Sequence, residues 1–324
     1  MIFAILKGLS IAVVASGAIA VGLILSQRPG ALRDATGGLD FTGRDGATVS
    51  APDPTGIAMR DGVLLPVRDY PNDNGPLLIM VHGSGWNGLQ FSGLASDLQS
   101  DAHMLVPDLR GHGAQPERRG DVDYIGQLED DLADLITSTR KPGQRVVLLG
   151  HSSGGGLVVR FAGGAHGALI DGAVLLAPFL KYNAPTTRPN SGGWARPLTR
   201  RIIGLSMLNA VGIRALNHLS VIEFNFPAAV LDGPLGHLAT QSYSYRLNAS
   251  YAPRSDYLKD ISALPPFALI VGAEDEAFIA EAYAPVMQAQ SDKGSYLIVP
   301  DQGHLSIVDA PQTAAAIRDM LNGL

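Results

Sequence analysis

Gly150-His151-Ser152-Ser153-Gly154 has the form G-x-S-x-G. Such a pentad holds a serine hydroxyl on a tight turn flanked by residues too small to crowd it. The chemistry this permits is nucleophilic attack on a carbonyl carbon. With Gly at 38 of 324 residues, the pattern arises by chance about 0.3 times in such a chain, so the motif needs context. The context is present. Val146-Val147-Leu148-Leu149 reads as a buried strand directly before it, and Gly154–Phe161 as a helix directly after. Only Ser152 has glycine at both −2 and +2; Ser153 has His151 at −2. A second glycine-rich turn, His82-Gly83-Ser84-Gly85-Trp86, follows the apolar run Leu77–Val81. A turn of that kind can aim a backbone N–H at a developing oxyanion.

Between the two turns lies Asp108-Leu109-Arg110-Gly111-His112-Gly113. In this order and spacing the three motifs resemble the α/β-hydrolase superfamily. They are similar to its monoglyceride lipase, lysophospholipase and serine aminopeptidase branch. The resemblance covers about residues 56–324 and specifies the superfamily better than the substrate. It implies a Ser-Asp-His order along the chain, with Ser152 as nucleophile. The acidic trio Glu274-Asp275-Glu276 stands just past the run Phe267–Gly272, and the resemblance selects Asp275, with Glu274 and Glu276 as alternatives. Of eight histidines only His304 follows the trio, so it takes the role of base. The backbone N–H groups of Ser84 and Ser153 would then form the oxyanion hole, and no cofactor is implied. Trp86 is read either as a wall of the acyl pocket or as packing against a cap. Asp108, Arg110 and His112 invite a metal reading, but no third ligand falls at a clear spacing. They are expected to brace their loop, and no metal is expected.

The elements that must position these residues are legible as short apolar runs: Leu77–Val81, Met104–Val106, Val146–Leu149, Ala173–Leu176, Ala268–Val271 and Tyr296–Val299. They are continuous rather than alternating, as strands buried on both faces are. Helical patterns stand between or after them, at Phe91–Leu98, Ile125–Thr139, Ser153–Ala162, Ala277–Ala289 and Gln312–Leu321. The alternation predicts an α/β fold, a mostly parallel central sheet with helices on both faces. Ahead of it, Gly56–Met59 and Val63–Val67 flank Arg60-Asp61-Gly62, a hairpin signal. About 90 residues between Leu176 and Ala268 carry no clear buried strand. This interval predicts an inserted helical cap over about 180–260. The cap holds five of the nine tyrosines, and its nine Lys/Arg against four Asp/Glu give it +5 in a chain of net charge −6.

The N-terminus is different in kind. Gly8–Leu25 carries no charge, and Lys7 is the single charge between Ile2 and Leu25. At about 1.5 Å per residue this stretch suffices for a hydrocarbon core near 30 Å. Residues 1–26 therefore read as a transmembrane signal-anchor. The alternative is a signal peptide cut after Ala18-Ile19-Ala20, giving a secreted protein. Residues 27–55 read as a flexible linker spanning on the order of 30 Å. The catalytic part is expected outside the cytoplasm. Absence of cysteine excludes disulfides and a thiol nucleophile, and a pI near 5.7 argues against nucleic acid as a partner. The expected activity is serine-dependent hydrolysis of a small-molecule or lipid-like ester, of monoacylglycerol or lysophospholipid type. Arg196, Arg200 and Arg201 in the cap would meet an anionic membrane or serve as ordinary solvated charges. The alternatives are peptidase, amidase or carbon–carbon bond hydrolysis on the same residues. A further one, of another class, is a non-catalytic membrane-tethered binding protein. Nothing in the sequence sets the oligomeric state.

Overall fold

Strands that are apolar on both faces must be covered on both faces, and the structure meets that demand with one eight-stranded sheet. The structure is a computed structural model; it describes residues 2–30, 38–42 and 50–324, with the backbone alone for 2–13. In chain order the elements are α1 (Ile2–Leu25), β1 (Thr55–Ala58), β2 (Leu64–Tyr70), β3 (Leu77–Val81), α2 (Ser92–Asp97), β4 (His103–Pro107), α3 (Gln127–Thr139), β5 (Val146–His151), α4 (Ser153–Ala162) and β6 (Gly172–Leu176). There follow β7 (Ala195–Pro197), α5 (Thr199–Ala210), β8 (Ser220–Phe224), α6 (Ala228–Leu231), β9 (Ser242–Ser244), α7 (Tyr245–Tyr251) and α8 (Tyr257–Ser262). The chain closes with β10 (Phe267–Gly272), α9 (Tyr283–Gln288), β11 (Gly294–Val299) and α10 (Pro311–Asn322).

The sheet order is β1-β2-β4-β3-β5-β6-β10-β11. From β4 to β11 every pairing is parallel; β1 and β2 join antiparallel at one edge. The expected hairpin is β1–β2. Alternate residues of β3 serve opposite cores. Leu77, Ile79 and Val81 join Leu132 and Ile136 of α3 and Leu157 of α4, while Leu78 and Met80 join Leu94 of α2 and Ile317 of α10. Each apolar strand thus feeds two hydrophobic cores, which is why it has no polar face.

The interval between β6 and β10 differs from the expected helical cap. It is mixed, with an antiparallel sheet β7-β8-β9 beside α5–α8. The strands are three, five and three residues long and only partly buried, so they leave no continuous apolar run in the sequence.

The N-terminal region makes contacts that its composition did not suggest. Ala20 and Ile24 of α1 are buried against Leu205 and Leu208 of α5 and Val221 of β8. Close approach requires Gly204, where a Cβ would come within 2.5 Å of the Ala20 carbonyl oxygen. Arg200 bonds the carbonyl of Ser26, and its backbone N–H donates to Gln27, so α1 and α5 run antiparallel. Among the described residues no helix is long and apolar enough to cross a membrane. The described side chains of α1 begin at Val14. Nor are the described parts of 27–55 a free tether. Gly30 N–H donates to Glu223, Gly38 N–H to the Gly192 carbonyl, and Asp40 N–H to Glu276. Phe41 sits among Trp86, Trp194 and Phe226, with ring centroids 5.8–6.4 Å apart. Polar composition alone suggested a linker; these backbone bonds and one aromatic ring tie its described residues, as a strap, to the cap, to the turn after β3 and to the loop after β10.

Candidate active site

β5 ends at His151, and the chain turns at once into α4. Ser152 occupies the turn at φ 54° and ψ −121°, a conformation that L-residues avoid unless their surroundings impose it. Its N–H donates to the Leu176 carbonyl of β6, and its carbonyl accepts from Gly156 and Phe179. The flanking glycines are needed for space. A Cβ on Gly150 would lie 2.3 Å from the Gly154 carbonyl oxygen, and one on Gly154 would lie 2.1 Å from that of Val81. The turn is therefore pressed against β3, whose C-terminal end leads into His82–Trp86.

Two strands away, β10 and β11 end side by side and carry the acid and the histidine. His304 Nδ1–H donates to Asp275 Oδ2 at 2.8 Å, with both side chains shielded from solvent. The other oxygen, Oδ1, accepts the backbone N–H groups of Ala277 and Phe278. With Nδ1 committed to Asp275, the open nitrogen of His304 is Nε2. Of the acidic trio, Asp275 is the one that meets the imidazole. Glu276 instead accepts the His304 backbone N–H at 2.7 Å and the Asp40 N–H at 3.0 Å. Glu274 is exposed. His151, next to Ser152, lies 4.6 Å from His304 between ring centroids and donates from Nε2 to the His304 carbonyl. His304 and Asp275 thus meet past the C-terminal ends of β10 and β11, and His151, the neighbour of Ser152, touches His304 there.

Residues 78–317, about three quarters of the chain, match the family model described as the alpha/beta hydrolase family. The chain belongs to the α/β-hydrolase family. Solved structures similar to this hydrolase include a thermophilic esterase from Thermogutta terrifontis (20% identity, 85% of this chain and 99% of that one, TM-score 0.56). Another is a soluble variant of monoglyceride lipase from Saccharomyces cerevisiae (15% identity, 85% and 96%, TM-score 0.64). A third is a bacterial membrane phospholipase A (16% identity, 100% and 99%, TM-score 0.58). Among curated sequences, protein phosphatase methylesterase 1 of Gibberella zeae is 35% identical over 102 residues, 28% of this chain and 26% of that protein. An uncharacterised protein of Mycobacterium tuberculosis is 32% identical over 89 residues, 28% and 25%. The hydrolase thus spans about a quarter of the length of these curated relatives.

Around the three residues, the hydrolase fixes its second turn from several directions. His82 Nδ1–H donates to the Gly83 carbonyl at 2.8 Å, and its Nε2 accepts the Leu109 N–H. His82 is wholly buried, and burial pushes its pKa down to about 4, helped by the charge of Arg68. Gln90 spans the two turns. Its Oε1 accepts the Gly83 N–H at 3.1 Å and its Nε2 donates to His151 Nδ1 at 2.5 Å. Neither Gln90 nor the part played by His151 was foreseen; both are isolated polar residues in apolar or glycine-rich surroundings, with no motif of their own. Ser84 lies on the second turn and Ser153 at the first position of α4. Trp86 is half-buried in the aromatic group with Phe41 and Phe226.

Asp108, Arg110 and His112 each have protein partners. Asp108 pairs with buried Arg68 at 2.7 Å and accepts the Gly88 N–H. Arg110 forks onto Asp131 and reaches Asp61. His112 donates from Nδ1 to the Arg110 carbonyl and accepts at Nε2 from Tyr243. These bonds tie the loop to β2 and α3, the work of a brace.

Proposed function

We propose that this hydrolase cleaves carboxylic esters by acyl transfer, with Ser152 as nucleophile, His304 as base and Asp275 as its orienting partner. The observation that carries the reading is the buried 2.8 Å bond from His304 to Asp275, set beside a serine held at positive φ by its surroundings. Ser152 Oγ attacks the ester carbonyl while its proton passes to His304 Nε2. The oxyanion is received by the Ser84 and Ser153 backbone N–H groups. The C–O bond then breaks as His304 protonates the departing alkoxide. Water attacks the acyl-enzyme carbonyl, giving its proton to His304; the Ser152 Oγ–acyl bond then breaks as His304 returns that proton to Oγ, and the acid product leaves.

A lipid-like ester is the proposed substrate class. Supporting it are the aromatic group Phe41, Trp86, Trp194 and Phe226 beside the second turn, and the likeness to a monoglyceride lipase and a membrane phospholipase A. Membrane attachment through α1 is part of the proposal, on the strength of the uncharged run Gly8–Leu25, and the catalytic part is proposed to lie outside the cytoplasm.

Replacing Ser152 by Ala should lower turnover of p-nitrophenyl esters by about 10⁴-fold or more. The native protein should take up a fluorophosphonate at Ser152. A screen of acyl-glycerols, lysophospholipids and aminoacyl amides then sets the substrate. Full activity in the Ser152→Ala protein overturns the mechanism, and preference for amides over esters overturns the substrate class.

A further inference from the structure

The cap is bolted to the turn that carries the Ser84 N–H. The peptide joining Gly83 to Ser84 is planar, so its carbonyl and its N–H point in opposite directions. His82 holds the carbonyl end through Nδ1. The following residue, Gly85, is held at both polar groups by the cap. Its N–H donates to the Tyr243 hydroxyl oxygen at 2.6 Å, and its carbonyl accepts the Thr240 N–H at 2.8 Å. Trp194 Nε1–H donates to Ser84 Oγ at 3.0 Å, and the Tyr251 hydroxyl donates to the His82 carbonyl. Four residues of the inserted segment thus fix one five-residue turn.

Tyr243 is central among them. His112 donates from Nδ1 to a carbonyl, which leaves its Nε2 as an acceptor. The Tyr243 O–H must therefore point at His112, 2.6 Å away, so its oxygen lone pairs face the Gly85 N–H. The phenol is buried and its bonds link the Asp108–Gly113 loop, the cap and the oxyanion turn in one chain.

We propose that Tyr243 is a positioning residue for the oxyanion hole: it fixes Gly85, and with it the direction of the Ser84 N–H. The cap then contributes to the transition state and not only to substrate binding. This rests on the ester-hydrolase reading above.

The test uses the full-length enzyme, with Tyr243→Phe compared on a p-nitrophenyl ester and an alkyl trifluoromethyl ketone. The ketone forms a hemiketal oxyanion on the nucleophilic serine and so reads the oxyanion hole directly. A lost oxyanion donor reduces turnover by about 10²–10³-fold; a misaimed one should give roughly 10–100-fold. The expected result is a fall of that size in kcat, KM changed less than about threefold, and ketone affinity weakened in parallel with kcat. A purely structural tyrosine would shift the melting temperature without separating ketone affinity from KM. If Tyr243→Phe does not fold, Trp194→Phe carries the test, with the same split expected at smaller size. An enzyme that is inactive as Ser152→Ala but retains kcat and ketone affinity as the folded Tyr243→Phe or Trp194→Phe variant overturns the positioning role alone. Activity surviving in Ser152→Ala overturns the functional reading and this role with it.

Discussion

His82 and His112 are two buried imidazoles whose rings lie 4.8 Å apart at their centroids, and neither has room for a second proton. Each donates from Nδ1 to a carbonyl and accepts at Nε2. Burial holds both pKa values down, His82 to about 4 and His112 well below its usual value; His82 adds to the effect on His112. In the unfolded chain both take up protons near pH 6.5. Folding stability is therefore fully present above pH 6.5 and falls as pH drops toward 4, by about 3 kcal/mol from His82 alone. Urea midpoints measured from pH 7 to 4 should show the slope, and a flat profile over that window would contradict it. Residue chemistry was partly legible. Order along the chain singled out His304, and the acidic trio was found after its strand. Only the family resemblance favoured Asp275; residue types alone do not tell that it turns toward the imidazole while Glu276 turns to a backbone N–H, because adjacent residues leave a loop in directions set by its backbone. Gln90 was invisible for a related reason: its two partners are 7 and 61 residues away.

Among elements, the strand-turn-helix of β5 and α4 was the most legible, because burial on both faces and steric crowding both write themselves into residue types. The expected helix Ser153–Ala162 and the observed α4 share their bounds. The same crowding makes the turn intolerant. Gly154→Ala places a Cβ against two backbone carbonyls of the segment leaving β3, and backbone cannot move aside as a side chain can. It should destabilise the protein by about 3 kcal/mol or more, read as a lowered urea midpoint at unchanged slope. A midpoint within error of the native protein would mean that β3 and α4 separate readily. The cap strands were illegible because they are held by long-range pairing. β8 alternates around Glu223, whose carboxylate meets Arg196 and the Gly30 N–H, contacts that no local window contains.

For the whole molecule, the positive cap resolves into local bonds. Arg196 pairs with Glu223, Arg246 with Asp121, and Arg254 with Glu129 and Asp260. Arg201 bonds the Ser220 carbonyl, as Arg200 does that of Ser26. The +5 of the cap is thus largely an internal adhesive between cap, body and N-terminal strap, and it gives little support to an anionic membrane at the site entrance. The apolar contact of α1 with α5 is the other bond at this scale. Gly204→Leu improves the helix former at that position yet fills the space of the Ala20 backbone. It should release α1 from the cap, seen as faster chymotryptic cleavage after Leu25 and a lower melting temperature in detergent. An unchanged cleavage rate would show that the two helices are held by the polar ends alone.

That contact also imposes a schedule on the growing chain. Ala20 leaves the ribosome about 180 residues ahead of Gly204, a wait on the order of 10–40 s at ordinary synthesis rates. Through that interval the apolar face of α1 has no partner within its own chain, and lipid or a chaperone must shelter it. The body of the sheet and the start of the cap emerge meanwhile, so the cap closes onto a helix made long before it.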